Sequence, residues 1–146
     1  MAKIAEIFKT MEYGPAPESD KEAVEWLRKH NGAFGLFING AFTAPSETFE
    51  VTSPSDGRPL TKVTQATQRD VDSAVKAARA AQKVWAALPG FRRHEYLYAL
   101  YRGIEKNSRL FAVLESLDNG KTIRETRDID VKLASRHFRY YAGWAQ

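Results

Sequence analysis

The sequence contains no cysteine in its 146 residues. Cysteine is needed for disulfide bonds, for sulfur-ligated metal sites and for thiol nucleophiles. All three are therefore excluded within this stretch of chain. Any chemistry that depends on a thiolate has to use residues outside these 146.

Long hydrophobic runs are also missing. A membrane-spanning helix needs roughly 18 or more apolar residues in succession, and no part of the sequence approaches that length. The opening stretch, MAKIAEIFKTMEYGP, carries Glu6 and Glu12 and lacks the apolar core of a secretory signal. The sequence therefore predicts a cytoplasmic protein with no membrane partner.

The chain has little net charge. It holds 22 Lys and Arg against 18 Asp and Glu, for a formal net charge of +4. The basic residues are spread along the sequence, which is typical of a solvated surface and not of a nucleic-acid-binding patch. We therefore expect no nucleic-acid partner.

The first third of the sequence begins with two amphipathic helices. Apolar residues at helical spacing predict a short helix over residues 3–12, which Gly14 and Pro15 would end. Ser19 followed by Glu22 matches a capping box and predicts the start of a second helix. Asn31-Gly32 would end that helix. We assign residues 1–32 to an N-terminal helical extension.

The hydrophobic period then changes from helical to alternating. In LFINGAFT, two short apolar runs separated by Asn39-Gly40 predict a β-hairpin. In TFEVTSPSDGRPLTKV, alternating apolar residues on both sides of the SPSDG turn predict a second pair of strands. Residues 33–66 are therefore predicted to form a small antiparallel layer.

Residues 67–146 have helical periodicity. Thr67 with Asp70 predicts a capped helix start, and Pro89-Gly90 predicts a break. Asn107-Ser108 would cap a further helix. Asn119-Gly120 could form a hairpin turn, but the apolar spacing before it is helical, so Gly120 is interpreted as the left-handed residue after a helix. The pattern predicts a last helix over roughly residues 127–145.

The last residues, RYYAGWAQ, lie inside this final helical pattern, with no capping residue and no polar tail. Domain boundaries usually fall in polar linkers. We therefore expect the chain to be part of a longer protein, truncated at residue 146.

Five stretches occur in the order found at the start of the aldehyde dehydrogenase superfamily. They are FINGAF, VTSPSDGRPLTKV, RDVDSAVKAARAAQKVWAALPGFRR, LESLDNGKTIRE and FRYYAGWA, and together with the residues between them they span residues 36–146. The preceding stretch, EIFKTMEYGPAPESDKEAVEWLRKHNG, resembles the start of the long family-sixteen type, in which an incomplete second dehydrogenase unit follows the first.

The resemblance implies an α/β protein in which amphipathic helices and a small antiparallel β layer flank a Rossmann-like sheet that this sequence lacks. It also implies oxidation of aldehydes to carboxylic acids with NAD or NADP. In the family a cysteine thiolate attacks the carbonyl, hydride passes to the nicotinamide, and a glutamate activates the hydrolytic water. The resemblance implies that the segment contacts the remainder of the dehydrogenase chain. It also implies a homo-oligomer, either a dimer or a tetramer.

The 146 residues alone cannot perform this reaction, because they contain neither the cysteine nor a glycine-rich dinucleotide fingerprint. The role implied for them is structural support, oligomer contacts and part of the substrate entrance. The alternative is a non-catalytic scaffold, because some members of the long subfamily resemble pseudoenzymes that lack the catalytic cysteine.

Asp118 is notable because a carboxylate near a helix C-terminus faces the negative end of the helix dipole. In several family members a monovalent cation, Na⁺ or K⁺, lies near this helix end. The matching ligands would be Val51 and Thr52 through their backbone carbonyls, and the Asp118 carboxylate. The alternative is that Asp118 pairs with Lys121 or Arg124, or faces water.

The last helix carries a second candidate site. The family residue that matches Leu133 lines the tunnel through which the aldehyde reaches the thiolate, and His137 lies one helical turn further on a similar face. The alternative for Leu133 is core packing, and His137 has no second ligand at metal-binding spacing. Asp128 and Asp130 are interpreted as residues of a helix N-terminus that favour its dipole.

Overall fold

The structure is a computed structural model, and it describes Glu6 and residues 19–146. Glu6 is helical, and the rest of the helix predicted over residues 3–12 lies outside the described residues.

The second predicted helix is present as α1, Lys21–Lys29. Its N-cap is Asp20, so the predicted capping box from Ser19 to Glu22 was wrong. The Asp20 side chain makes no capping bond because it forms an ion pair with Arg58. At the other end Asn31 and Gly32 both have positive φ, which ends the helix as predicted.

Two predicted hairpins are confirmed. Strands β2, Phe37–Ile38, and β3, Ala41–Phe42, pair antiparallel around Asn39-Gly40, whose φ angles are 54° and 80°. Positive φ at both central residues is the geometry that a two-residue hairpin turn requires. Strands β4, Thr48–Thr52, and β5, Pro59–Thr64, also pair antiparallel.

The β layer is not purely antiparallel, however. Strand β1, Ala33–Phe34, pairs parallel with β5 and forms a three-stranded sheet of order β1-β5-β4. The Thr64 hydroxyl is buried and donates to the Phe34 carbonyl at 3.0 Å, which holds β1 at this edge. A two-residue strand has no alternation to detect, so no sequence pattern indicated this pairing.

Three helices follow the sheets: α2, Gln68–Ala87; α3, Gly90–Lys106; and α4, Ser108–Asn119. Thr67 and Asp70 form the predicted capping box. The break at Pro89-Gly90 is confirmed. Asn107 stands between α3 and α4, but its side chain donates to the Gly103 carbonyl instead of capping α4.

The last helical segment begins earlier than predicted. A short helix α5, Ile123–Glu125, is capped by Thr122, a π-helical turn covers Thr126–Asp130, and α6 runs over Val131–Trp144. Asp128 and Asp130 therefore lie inside a continuous helical segment, so their interpretation as helix-start residues was wrong.

Helix α6 packs antiparallel along α3. The Ser135 hydroxyl donates to Glu105 at one end of this contact, and the His94 ring bonds to the Ala142 carbonyl nearer the other. The buried apolar side chains come from α1, α4 and α6: Ala23, Leu27, Ala112, Val113, Val131 and Ala142. Helix α1 contacts both β5 and α4, which places the sheet against the helical part.

Much apolar surface remains uncovered. Neither α2 nor α3 has a buried residue in the described chain. Large side chains that stay exposed include Val75, Trp85, Leu100, Tyr141 and Trp144. In residues 19–146 no helix is long and apolar enough to cross a membrane.

Candidate functional site

The C-terminus of α4 and the turn after β4 lie against each other. Gly120 has φ 79° and ends α4 with its N–H donating to the Ser116 carbonyl. A Cβ atom built on Gly120 would lie 2.8 Å from Cγ of Pro54. This contact brings the helix end that carries Asp118 to the strand end that carries Val51 and Thr52.

The ladder between β4 and β5 is irregular at this point. Val51 pairs with Thr61 but Thr52 pairs with Pro59, so the register shifts between Val51 and Thr52. A bulge interrupts the regular hydrogen bonding and turns the strand. The extra residue is Leu60 on β5, so the irregularity lies directly opposite the Val51–Thr52 backbone that is predicted to provide carbonyl ligands.

A cavity of about 270 Å³ lies between the sheet, α1 and α4. Val51 and Asp118 both line it, together with Trp26 and Thr61. The structure thus brings two of the three residues predicted as cation ligands to one cavity. Thr52 is exposed and is not part of its lining.

Lys121, one of the two partners suggested for Asp118, is engaged elsewhere. Lys121 forms an ion pair with Asp130 at 2.7 Å, and within the described residues Asp118 pairs with neither Lys121 nor Arg124. Asp118 is exposed at the end of a helix with no basic residue in its last turn. Among the described residues no group of three His, Cys, Asp or Glu side chains could hold a metal ion. A cation here would depend on backbone carbonyls.

Thr61 is a feature of this cavity that the sequence reasoning missed. Its Oγ1 atom is buried and has no hydrogen-bond partner in the described part of the chain. A buried hydroxyl without a partner is costly. The hairpin register places Thr61 opposite Val51. No pattern in the sequence indicates that the Thr61 hydroxyl has no hydrogen-bond partner among the described residues.

Leu133 and His137 lie on one exposed side of α6. Leu133 is 46% exposed, so the alternative of core packing does not describe it in this chain. His137 is also exposed. The buried residues of this helix, Val131, Ser135 and Ala142, occupy the opposite side. The structure leaves the predicted entrance face open, and its contact with substrate stays a prediction.

Asp128 and Asp130 have different partners. Asp128 bonds to the neighbouring Arg127, whose guanidinium lowers the pKa of this carboxyl from its ordinary value. Asp130 reaches back to Lys121, and the hydrogen bond from Lys121 to Asp130 raises the pKa of the Lys121 ammonium. The two carboxylates do not form an acid–base pair.

Helices flank two small sheets in this α/β arrangement, with uncovered faces on several helices. The family model for the aldehyde dehydrogenase family matches residues 42–146. The chain belongs to this family, and its fold is the N-terminal part of the aldehyde dehydrogenase fold.

Individual relatives agree with this assignment. The chain is 46% identical over 109 residues to acetaldehyde dehydrogenase 2 of Cupriavidus necator, covering 73% of this chain and 22% of the relative. It matches the NAD⁺ complex of an aldehyde dehydrogenase from Bacillus cereus with a TM-score of 0.76 and 36% identity, covering 92% of this chain and 26% of that one. Betaine aldehyde dehydrogenase from Staphylococcus aureus in complex with NAD⁺ gives a TM-score of 0.78 at 26% identity, covering 86% and 25%.

The chain therefore spans only about a quarter of the length of these relatives. The residues present do not fit a dinucleotide site, because the described residues include no βαβ unit with a glycine-rich turn from strand to helix. These 146 residues also contain no cysteine. What the chain contributes is the flanking structure.

Proposed function

We propose that residues 1–146 form the N-terminal portion of a longer NAD- or NADP-dependent aldehyde dehydrogenase, which oxidises aldehydes to carboxylic acids. The family match over residues 42–146 carries this proposal. The open apolar faces of α2, α3 and α6 support it, because such faces normally mark surfaces that other protein elements cover.

Within that enzyme the segment gives structural support, contributes oligomer contacts and forms part of the substrate entrance. Its proposed divisions are the helical extension 1–32, the β layer 33–66 and the helical part 67–146. The exposed aromatic side chains of α6, among them Tyr140, Tyr141 and Trp144, are available for contact with the remainder of the chain or with a second subunit. The proposed assembly is a homo-oligomer, dimer or tetramer, in the cytoplasm.

The proposed cation site takes Na⁺ or K⁺ through the carbonyls of Val51 and Thr52 and the carboxylate of Asp118. The shared cavity of Val51 and Asp118 supports it, and so does the register shift that faces Val51 and Thr52 across the ladder. Oxygen atoms are the ligands that hard cations prefer. A further ligand would come from the part of the protein outside these residues.

The proposed substrate entrance includes Leu133 and His137. Support comes from their exposure on the side of α6 turned away from α3. Leu133 would give an apolar contact to the aldehyde chain, and His137 would add a polar group one turn away. Neither residue takes part in bond making.

The long family-sixteen type is the proposed subfamily. Residues 1–41 precede the family match, and they contain the stretch whose resemblance suggests this type. Helix α1, in this region, contacts the sheet and α4, and Arg58 and Asp20 form an ion pair at its start. The described residues from Asp20 to Lys29 therefore pack against the rest of the structure.

The decisive experiment uses the intact protein. Aldehydes of several shapes (short, branched and aromatic) are mixed with NAD or NADP, and formation of the reduced cofactor is followed by absorbance at saturating cofactor. We expect reduction with at least one aldehyde, and its loss when the nucleophilic cysteine of the intact chain is replaced by serine. Silence across all aldehydes and both cofactors would overturn the proposal and favour a scaffold.

A further inference from the structure

The helical segment that leads to the proposed entrance is widened by one π-helical turn, Thr126–Asp130. The Val131 N–H donates to the carbonyl of Thr126, five residues earlier, instead of the four-residue spacing of an α-helix. Single π turns inside α-helices occur frequently at functional sites. This turn lies directly before α6, so it affects how the side chains of α6 are oriented.

The π turn changes which side of α6 faces α3. Thr126 and Val131 are both buried, with exposures of 0% and 8%, although they are five residues apart. On a regular α-helix of 3.6 residues per turn, such positions would point about 140° apart. The wider turn lets both face the interior.

The π turn also determines how the residues of the proposed entrance are oriented on α6. With Val131 and Ser135 turned toward the interior, Leu133 lies on the opposite side and stays open. The buried Thr126 holds the start of the turn, because its hydroxyl donates to the Ile123 carbonyl at 3.2 Å. A regular helix from Ile123 onward would place different residues on the open side.

The end of the π turn is tied to the preceding helix. Asp130 accepts a hydrogen bond from the Lys121 ammonium at 2.7 Å. Lys121 is itself fixed: its N–H donates to the Asn119 side chain at 2.8 Å, and its carbonyl accepts from the Ser116 hydroxyl at 2.7 Å. The ion pair thus connects the last residue of the π turn to an anchored point at the end of α4.

We propose that Asp130, held by Lys121, is a positioning residue that sets the rotation of α6 and thereby the placement of Leu133 in the substrate entrance. The inference rests on the proposed function for its kinetic consequence and on the described contacts for its structural one. Asp130 touches no reacting atom, so its loss changes selection among aldehydes more than the turnover of a small one.

The test compares Asp130→Asn, Lys121→Met and their combination in the intact enzyme. The matched control is Asp128→Asn. It removes a carboxylate from the same π turn, but that carboxylate bonds only to the neighbouring residue Arg127 in the described contacts. The readout is the ratio of kcat/KM for a bulky aldehyde to that for a two-carbon aldehyde. We expect a change of about threefold to tenfold in both single variants, mainly through KM, because losing a partly exposed ion pair should cost less selectivity than losing a whole pocket contact, which is worth roughly tenfold or more.

The double variant should change the ratio no more than either single variant. Each single variant already removes the same ion pair between Lys121 and Asp130. The control should keep the parent ratio. A structural role alone would lower the melting temperature without moving the ratio, and an unchanged ratio in Asp130→Asn and Lys121→Met would overturn the inference.

Amide hydrogen exchange separates this inference from the proposed function. In Asp130→Asn we expect faster exchange at Val131 and the residues beside it, and parent rates in Asp128→Asn. If the parent protein oxidises no aldehyde, the proposed function fails while this measurement still decides the positioning role. Equal exchange in all variants would refute that role whatever the activity.

Discussion

Pro54 lies directly over Gly120, so that a Cβ on Gly120 would approach the proline Cγ to 2.8 Å. Real Cβ contacts are essentially never this short. The turn after β4 and the end of α4 therefore fit together only because residue 120 has no side chain. This contact lies beside the cavity that Val51 and Asp118 share.

Gly120→Ala should destabilise the protein by more than the same substitution at a positive-φ glycine that has open space around it. Gly120 has φ 79°, and the left-handed conformation costs a residue with a Cβ about 1–2 kcal/mol. The clash with Pro54 adds to this cost. The measurement is the free energy of unfolding from urea denaturation of the intact protein.

Gly57→Ala is the matched control for this substitution. Gly57 has φ 71°, but a Cβ there would meet nothing within 4 Å. Gly57→Ala should therefore lose only the stability that corresponds to the strain of the left-handed backbone. Equal losses in the two variants would show that the contact with Pro54 does not constrain the site.

The capping box at the start of α2 should make stability depend on acid pH. The pKa of Asp70 is lowered from 3.8, first by the Thr67 hydroxyl and then by the Thr67 N–H. Because the folded-state pKa lies below the unfolded value, this stabilisation is present above 3.8 and is lost as pH falls through the folded-state pKa. Circular dichroism melts of the parent and Asp70→Asn from about pH 6 to about pH 2 should converge at the acid end.

Substitutions at Thr67 provide the controls for the capping box. Thr67→Ala should lose on the order of 1 kcal/mol, because the N-cap hydroxyl is removed. Thr67→Ser keeps a hydroxyl and should retain both the stability and the pH dependence. A parent-like pH profile in Asp70→Asn would argue against the cap as its source.

The purified segment 1–146 should bind a hydrophobic dye and self-associate, because its apolar faces are uncovered. Replacing Val75 on α2 and Leu100 on α3 by Lys should reduce both signals, since these side chains are 46% and 52% exposed. Lys76→Glu, on the polar side of α2, is the control. A monodisperse, dye-silent monomer with a cooperative melt would contradict the expectation.

Na⁺ or K⁺ should stabilise the intact protein relative to a bulky organic cation at the same ionic strength. A ligand that binds only the folded state raises the melting temperature. Asp118→Asn should lose this shift. Glu115→Gln, which removes a second carboxylate from the lining of the same cavity, should keep most of it. The same shift in both variants would remove Asp118 from the site.

Local chemistry made several elements predictable from sequence. Asn39-Gly40 permits two successive positive φ angles, so its hairpin could be placed without knowing the fold. Thr67 with Asp70 and the left-handed Gly120 are likewise decided by neighbouring residues. The family was indicated separately, by the resemblance of five sequence stretches in their order from FINGAF to FRYYAGWA.

Long-range contacts decided the rest. Ser19 looked like an N-cap, but Asp20 takes that position, and its carboxylate is drawn to Arg58, 38 residues away. The parallel pairing of β1 with β5 depends on a contact across the sheet that no local period encodes.

The sequence by itself determined the hairpin turn at Asn39-Gly40, the start of α2 at Thr67 and the end of α4 at Gly120, because capping groups and positive-φ residues act within a few positions. Tertiary structure decided the π turn before α6, since burying Thr126 and Val131 on one side and bonding Asp130 to Lys121 are interactions with other elements. It also decided that Val51 and Asp118 share a cavity, because the packing of Pro54 on Gly120 and the contacts of α1 with β5 and α4 bring their elements together.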